Sequence, residues 1–163
     1  MRLPKLAAYE YLLAGAYLVV TSIVKWRLSP DLWILFYFAG GMIGLHLLDL
    51  LEQFLSKQPS MNAVPLRTHS PLRSAFMQLL LVPLTFFVVT STNSLIGAGT
   101  VLMLNFHFLY LQHEEKQQGG SLTGWLRNLF DPVDSKTTNW YLYGVTGIFL
   151  IESIIFMLIV WTR

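Results

Sequence analysis

Apolar residues along this chain fall into five long runs, each broken from the next by a polar or proline-containing stretch. A helix needs about 20 mostly apolar residues to cross roughly 30 Å of hydrocarbon. The first run covers about 6–26, Leu6 to Trp26, with one acid, Glu10, near its start. Ser29-Pro30-Asp31 is a turn and helix-start signal, and the second run follows at 32–54 with Gly40, Gly41 and Gly44 in its middle. Small residues there suit close helix approach, or flexible packing without a specific partner. The third run, 72–91, holds Pro83, where a kink is expected. A short turn, Thr90 to Ser94, leads to the fourth run at 95–112, so runs three and four form an antiparallel hairpin. The fifth, 140–161, carries Trp140, Tyr141, Tyr143 and Trp161 as expected interfacial anchors.

The polar connections at 55–71 and 113–139 are expected loops. Within the second, Leu122 to Phe130 has the aromatic and leucine spacing of a short amphipathic helix at the interface. Ser70-Pro71 reads as a helix cap followed by proline at the first helical position of the third run. The pattern predicts an all-α fold: one polytopic transmembrane helical bundle over 1–163, with about five spans.

Composition agrees. The chain is 54% hydrophobic and 12% charged, with a mean hydropathy of +0.53, whereas a soluble domain has about 25% charged residues. A water-soluble fold of 163 residues buries only about two-thirds of its surface, too little to hide this much apolar area. The net charge of +2 without a basic stripe argues against nucleic acid. Zero cysteines exclude disulfides, thiolate metal sites and a Cys nucleophile. The N-terminus lacks a signal-peptide cleavage pattern, so the first run is expected to be retained.

Lys and Arg set orientation. With five spans, eight of them (Arg2, Lys5, Lys57, Arg67, Arg73, Lys116, Arg127 and Lys136) fall on one side and three (Lys25, Arg27 and Arg163) on the other, which accounts for all eleven. The expectation is N-in/C-out.

Ionisable residues inside a bilayer are costly and mark sites by default. Glu10, His46, Asp49, Glu52 and His107 fall in the cytoplasmic halves of their runs, with His69 in the connection on that side; Glu152 lies nearer the outer half. His46 and Asp49 are three apart and share a helix face. Such a pair can hold a divalent cation; the alternative is a bundle-facing His46 bonded to a neighbouring carbonyl. For Glu10 and Glu152 the plain expectation is pairing with a hydroxyl, tyrosine or basic residue.

Three segments carry a resemblance: Leu48-Asp49-Leu50-Leu51-Glu52, then Thr68-His69-Ser70, then His107 to Leu111-Gln112. Over about residues 36–115 the chain resembles the membrane-bound metal-dependent hydrolase family of bacterial inner-membrane proteins, in degenerate form. It resembles more closely an uncharacterised group of short multi-pass bacterial membrane proteins that share Thr68-His69-Ser70, Phe87-Val88-Val89-Thr90-Ser91 and His107. The family has two further acids where this chain has Leu51 and Leu111, and a histidine where it has Glu52. The resemblance implies Asp49, His69 and His107 as ligands of a divalent metal such as zinc, with Glu52 as a replacement ligand or general base. It also implies a place in the bacterial inner membrane.

Two functions compete on this reading. One is a metal-dependent hydrolase-like protein with an eroded site at the cytoplasmic interface. The other is a non-catalytic membrane scaffold or a subunit of a membrane complex, with the bilayer and either a second copy or another membrane protein as partner. A small transporter or channel ranks behind both, since five spans without inverted repeats suit a secondary transporter poorly. No phosphate loop, nucleophile elbow or dinucleotide fingerprint occurs.

Overall fold

The computed structural model describes residues 8–26, 32–56, 72–91, 94–119, 122–126 and 133–159. Among them there are helices and no strand: α1 (Ala8–Trp26), α2 (Trp33–Ser56), α3 (Ala75–Ser91), α4 (Leu95–Gln117), the single turn α5 (Thr123–Leu126) and α6 (Ser135–Ile159). The helical core of the sequence reading holds.

Side-chain partners fix the direction of each helix. Tyr11 meets His46 and Thr21 meets Tyr37, so α1 and α2 run antiparallel. Gly40 lies on Ile96 and Gly44 on Thr100, so α2 and α4 run parallel. Gln112 meets Gln78 and Asn105 meets Thr85, which sets α3 against α4. Tyr141 reaches Gln78 and Glu152 reaches Asn105, making α6 parallel to α3 and antiparallel to α4. The five long helices therefore alternate in direction along the chain.

Three of them are long and apolar enough to cross a membrane: α2, α4 and α6. At about 1.5 Å per residue, the 23-residue α4 is close to 35 Å long. α1 has 19 residues, but Glu10 and Lys25 dilute its apolar content. α3 has 17 residues, about 26 Å, with Pro83 on an exposed position.

α4 is the central helix. Over half of its apolar window is buried inside the bundle, against a third for α2 and α6. Its closest neighbour is α2. A Cβ at Gly40 would strike the Ile96 carbonyl, one at Gly44 the Thr100 carbonyl, and one at Gly99 the Tyr37 carbonyl. The small residues thus have a specific partner: helix backbones touch. Thr100 Oγ1 ties the seam by donating to Gly40 O at 3.1 Å. In lipid no hydrophobic force joins helices, so such close packing and interhelical hydrogen bonds must do it.

Several expected boundaries move. The fourth run continues past Gln112 as helix to Gln117, and the fifth begins at Ser135 rather than Trp140. Much of the expected 113–139 loop is therefore helical. Glu114, Glu115 and Lys116 are good helix formers, and Trp125 of α5 donates its indole N–H to Glu115 Oε2 at 2.7 Å. Of the interfacial helix expected over Leu122 to Phe130, the described part is the single turn α5, with Leu122, Trp125 and Leu126 buried against the bundle; residues 127–132 lie outside the described residues. α3 starts at Ala75, with Ser74 Oγ accepting from the Met77 N–H at 3.3 Å, so Ser74 is its cap. Ser70, the expected cap, lies outside the described residues. Trp140 and Tyr143 are exposed as anchors should be. Tyr141 is not: it falls on the inward face of α6 beside Thr138, Leu142 and Val145, and bonds inside the bundle.

Candidate functional site

The polar residues of the helices form separate, well-defined groups. Asp49 and Glu52, one turn apart on α2, meet a single cation. Arg73, just before α3, donates Nη2–H to Asp49 Oδ1 at 2.7 Å and Nε–H to Glu52 Oε1 at 2.8 Å. The fork of a guanidinium suits two acceptors in this way. The result pins the end of α2 to the start of α3.

His107 of α4 is buried against Glu10 of α1. A hydrogen bond of 2.5 Å joins His107 Nδ1 and Glu10 Oε1, and His107 Nε2 has no protein partner. Burial in low dielectric strengthens such a bond and makes its loss costly. His46 sits close by on α2, its Nε2 3.2 Å from the Tyr11 hydroxyl.

Of the predicted metal set, then, Asp49 is held by Arg73, as is Glu52, and His107 is held by Glu10. His69 lies outside the described residues. Among the described residues no group of three or more His, Asp or Glu side chains is placed to hold a metal ion. The Arg73 guanidinium already meets the Asp49 and Glu52 oxygens with the positive charge that a metal would otherwise bring. Among the described residues Asp49 and Glu52 stand in one group and His107 in another.

Two further polar groups occupy the interior between α3, α4 and α6. In one, Gln112 Nε2 donates to Gln78 Oε1 at 2.6 Å, and the Tyr141 hydroxyl donates to the same oxygen at 2.5 Å. In the other, Asn105 Nδ2 donates to Thr85 Oγ1 at 2.8 Å and to Glu152 Oε2 at 3.2 Å. Glu152 was expected beside a hydroxyl, tyrosine or basic residue; its partner is an amide. Gln112 Oε1 and Glu152 Oε1 are buried without a protein partner. Sequence reasoning missed Arg73, Gln78, Thr85 and Asn105. A signal existed: Gln78 and Thr85 are seven apart, as are Asn105 and Gln112, which puts each pair on one helix face.

Beyond Glu152 the polar interior continues along α1. Ser153 and the Tyr17 hydroxyl are 2.8 Å apart, and Thr21 Oγ1 and the Tyr37 hydroxyl 3.0 Å. At the end of α1 the buried Lys25 ammonium donates to the Phe156 carbonyl at 3.2 Å and lies over the Phe156 ring. A cation there meets the carbonyl-rich end of α6, where the helix dipole favours it, and an aromatic face.

No family model matches the chain, and neither a curated protein nor a solved structure matches it.

Proposed function

We propose that the chain is a five-span membrane bundle, N-in/C-out, acting in a bacterial inner membrane as a non-catalytic scaffold or a subunit of a membrane complex. The alternation of five long helices, with apolar side chains outward, supports five spans, α1 and α3 crossing with the three longer ones. The observation that carries the non-catalytic reading is Arg73. It bonds both Asp49 and Glu52, the acids that a hydrolytic metal site would need. The resemblance to metal-dependent hydrolases is then one of ancestry, with the acids turned to holding helices together.

Because the chain has no cysteine, single-cysteine variants report topology cleanly. Gln118→Cys and Ser135→Cys should react with an impermeant maleimide from the cytoplasmic side, and Ser94→Cys from the opposite side. Labelling of all three from one side would remove the topology. For the function, extraction in mild detergent should yield a stoichiometric membrane partner or a defined oligomer. One zinc or manganese per chain, lost in Asp49→Ala or His107→Ala, would replace this reading with the hydrolase one.

A further inference from the structure

We propose that the buried polar groups between α1, α3, α4 and α6 form a proton path through the bundle, with the Glu152 carboxyl as its mid-depth carrier. The inference goes beyond a scaffold role and rests on the reading that the chain spans a membrane.

The groups stand in tiers along the bundle. Gln78, Gln112 and Tyr141 make the first, towards the starts of α1, α3 and α6. Thr85, Asn105 and Glu152 make the second. On α4 the tiers are seven residues apart, about 10 Å. The hydroxyls of Ser153 and Tyr17 make a third step, and those of Tyr37 and Thr21 a fourth. Ser153 follows Glu152 directly on α6, so its 2.8 Å contact with the Tyr17 hydroxyl brings the hydroxyl file next to the carboxyl. Lys25 ends the file, eight residues and about 12 Å beyond Tyr17 on α1.

Hydrogen bonds between amides and hydroxyls account for helix association, and the group they do not account for is the acid. A carboxylic acid at mid-depth is the most expensive of these groups to keep in a membrane. Glu152 meets Asn105 of α4, which in turn bonds Thr85 of α3, and the adjacent Ser153 meets Tyr17 of α1. Among the described residues no basic side chain forms an ion pair with it. Glu152 is therefore not explained as half of a structural salt bridge. Its Oε1 and the Oε1 of Gln112 are buried acceptors without a protein partner, one in each of the first two tiers, and buried acceptors of this kind suit water.

Between those tiers lie Leu81, Phe108, Leu109 and Val145, all buried. Such an apolar layer blocks hydrated ions by dewetting, while a transient file of waters still passes a proton. Each step conserves atoms and charge. The relaying oxygens are those of the tyrosine, serine and threonine hydroxyls, the carboxyl and water, each of which takes one proton on a lone pair and releases the one it held. The Gln78, Gln112 and Asn105 amides relay no proton and only orient their neighbours. The Glu152 carboxyl accepts a proton at one oxygen and gives one up from the other, and the hydroxyls then rotate back.

The test is reconstitution of the full chain in phospholipid vesicles containing a pH-reporting dye, with a potassium gradient and valinomycin as driving force. Wild type should acidify the lumen several-fold faster than protein-free vesicles. Glu152→Gln, which keeps the Asn105 hydrogen bond, should fall to the protein-free rate. Glu152→Asp should retain part of the flux, and Glu114→Gln, away from the tiers, all of it. Flotation with the vesicles and resistance to alkaline extraction report membrane insertion separately, and circular dichroism reports the fold of each variant. Inserted, helical wild type with only the protein-free rate would overturn the proton path and leave the membrane reading intact. Wild-type flux in Glu152→Gln would overturn it too. A chain that fails to insert would overturn both.

Discussion

The two sides of α4 hold their neighbours in opposite ways. Towards α2, glycines bring one backbone onto another, and the contact is made by Gly40, Gly44 and Gly99 with a threonine hydroxyl across it. Towards α1, α3 and α6, side chains keep the backbones apart, and polar pairs stand among buried apolar side chains: Glu10 on His107, Gln78 on Gln112, Thr85 on Asn105. Both answer the same problem, that lipid gives apolar helices no reason to prefer each other. The glycine side gains dispersion from close approach and tolerates no added atom. The polar side gains hydrogen bonds, but leaves costly groups behind when a partner is removed.

The contrast is broken most directly on the glycine side. Gly44→Leu should cost at least about 3 kcal/mol, since the added side chain meets backbone and cannot be relieved by a rotamer change. Gly144→Leu on α6 is the control, because nothing lies within 4 Å of its Cβ position. It should be neutral or gain up to about 1 kcal/mol from helix propensity. Denaturant unfolding in a fixed detergent mixture compares them. Equal stabilities for the two variants would show that α2 and α4 do not touch through Gly44.

On the polar side, His107→Leu should cost about 2–3 kcal/mol, because the Glu10 carboxyl is left buried without its partner. The double variant Glu10→Leu/His107→Leu removes both groups and should recover most of that loss, since apolar replacement of a buried polar pair is often near neutral. The same unfolding measurement reads the cycle. Losses that simply add would mean the two side chains do not interact.

How much of this was legible follows from what each signal measures. Apolar runs located the five long helices because these helices carry apolar side chains on their exposed faces as well as in the core. They misplaced the ends of α4 and α6 because hydropathy marks where apolar surroundings begin and not where a helix begins. Glu114 to Gln117 stays helical beyond the apolar run, with Trp125 bonded to Glu115, and α6 starts at a cap six residues before Trp140. Glycine spacing allowed either a close contact or flexible packing and did not name α4 as the partner. The acids of α2 were legible as costly residues, but their bond to Arg73 was not, since Arg73 reads as one more cytoplasmic charge. The Glu10–His107 pair spans 97 positions, and no local pattern carries that pairing. Tyr141 read as an interfacial anchor because it stands between two residues that are anchors; only the helical face separates them.

Arg73 gives a smaller, sharper comparison within the polar side. Its two bonds lie near the end of the bundle and are part-exposed, so screening reduces their worth. Arg73→Met should cost about 1–2 kcal/mol. Arg73→Lys should recover only part of this, as a single ammonium replaces a fork that reaches two carboxylates. Added salt should weaken wild type more than Arg73→Met. A salt response equal in both would mean that the ion pairs contribute nothing to stability.

The smallest effect lies outside the bundle core, at the cap of α6. Asp134 Oδ1 accepts from the Thr137 N–H at 2.6 Å, closing the first turn that hydropathy did not locate. Hydrogen bonds from the Thr137 side chain and backbone, with Lys136 nearby, hold the Asp134 carboxyl below the ordinary value of 3.8. A lowered folded value means that the cap contributes fully above 3.8 and is lost as pH falls through the folded value. Amide exchange in residues 135–138 should therefore be steady, once corrected for intrinsic rates, from neutral pH down to that ordinary value and should quicken only below it. Asp134→Asn still accepts the Thr137 N–H but cannot titrate, so its protection should show no such step. A step of equal size in Asp134→Asn would assign the acid sensitivity to another group and leave the early start of α6 without its cap.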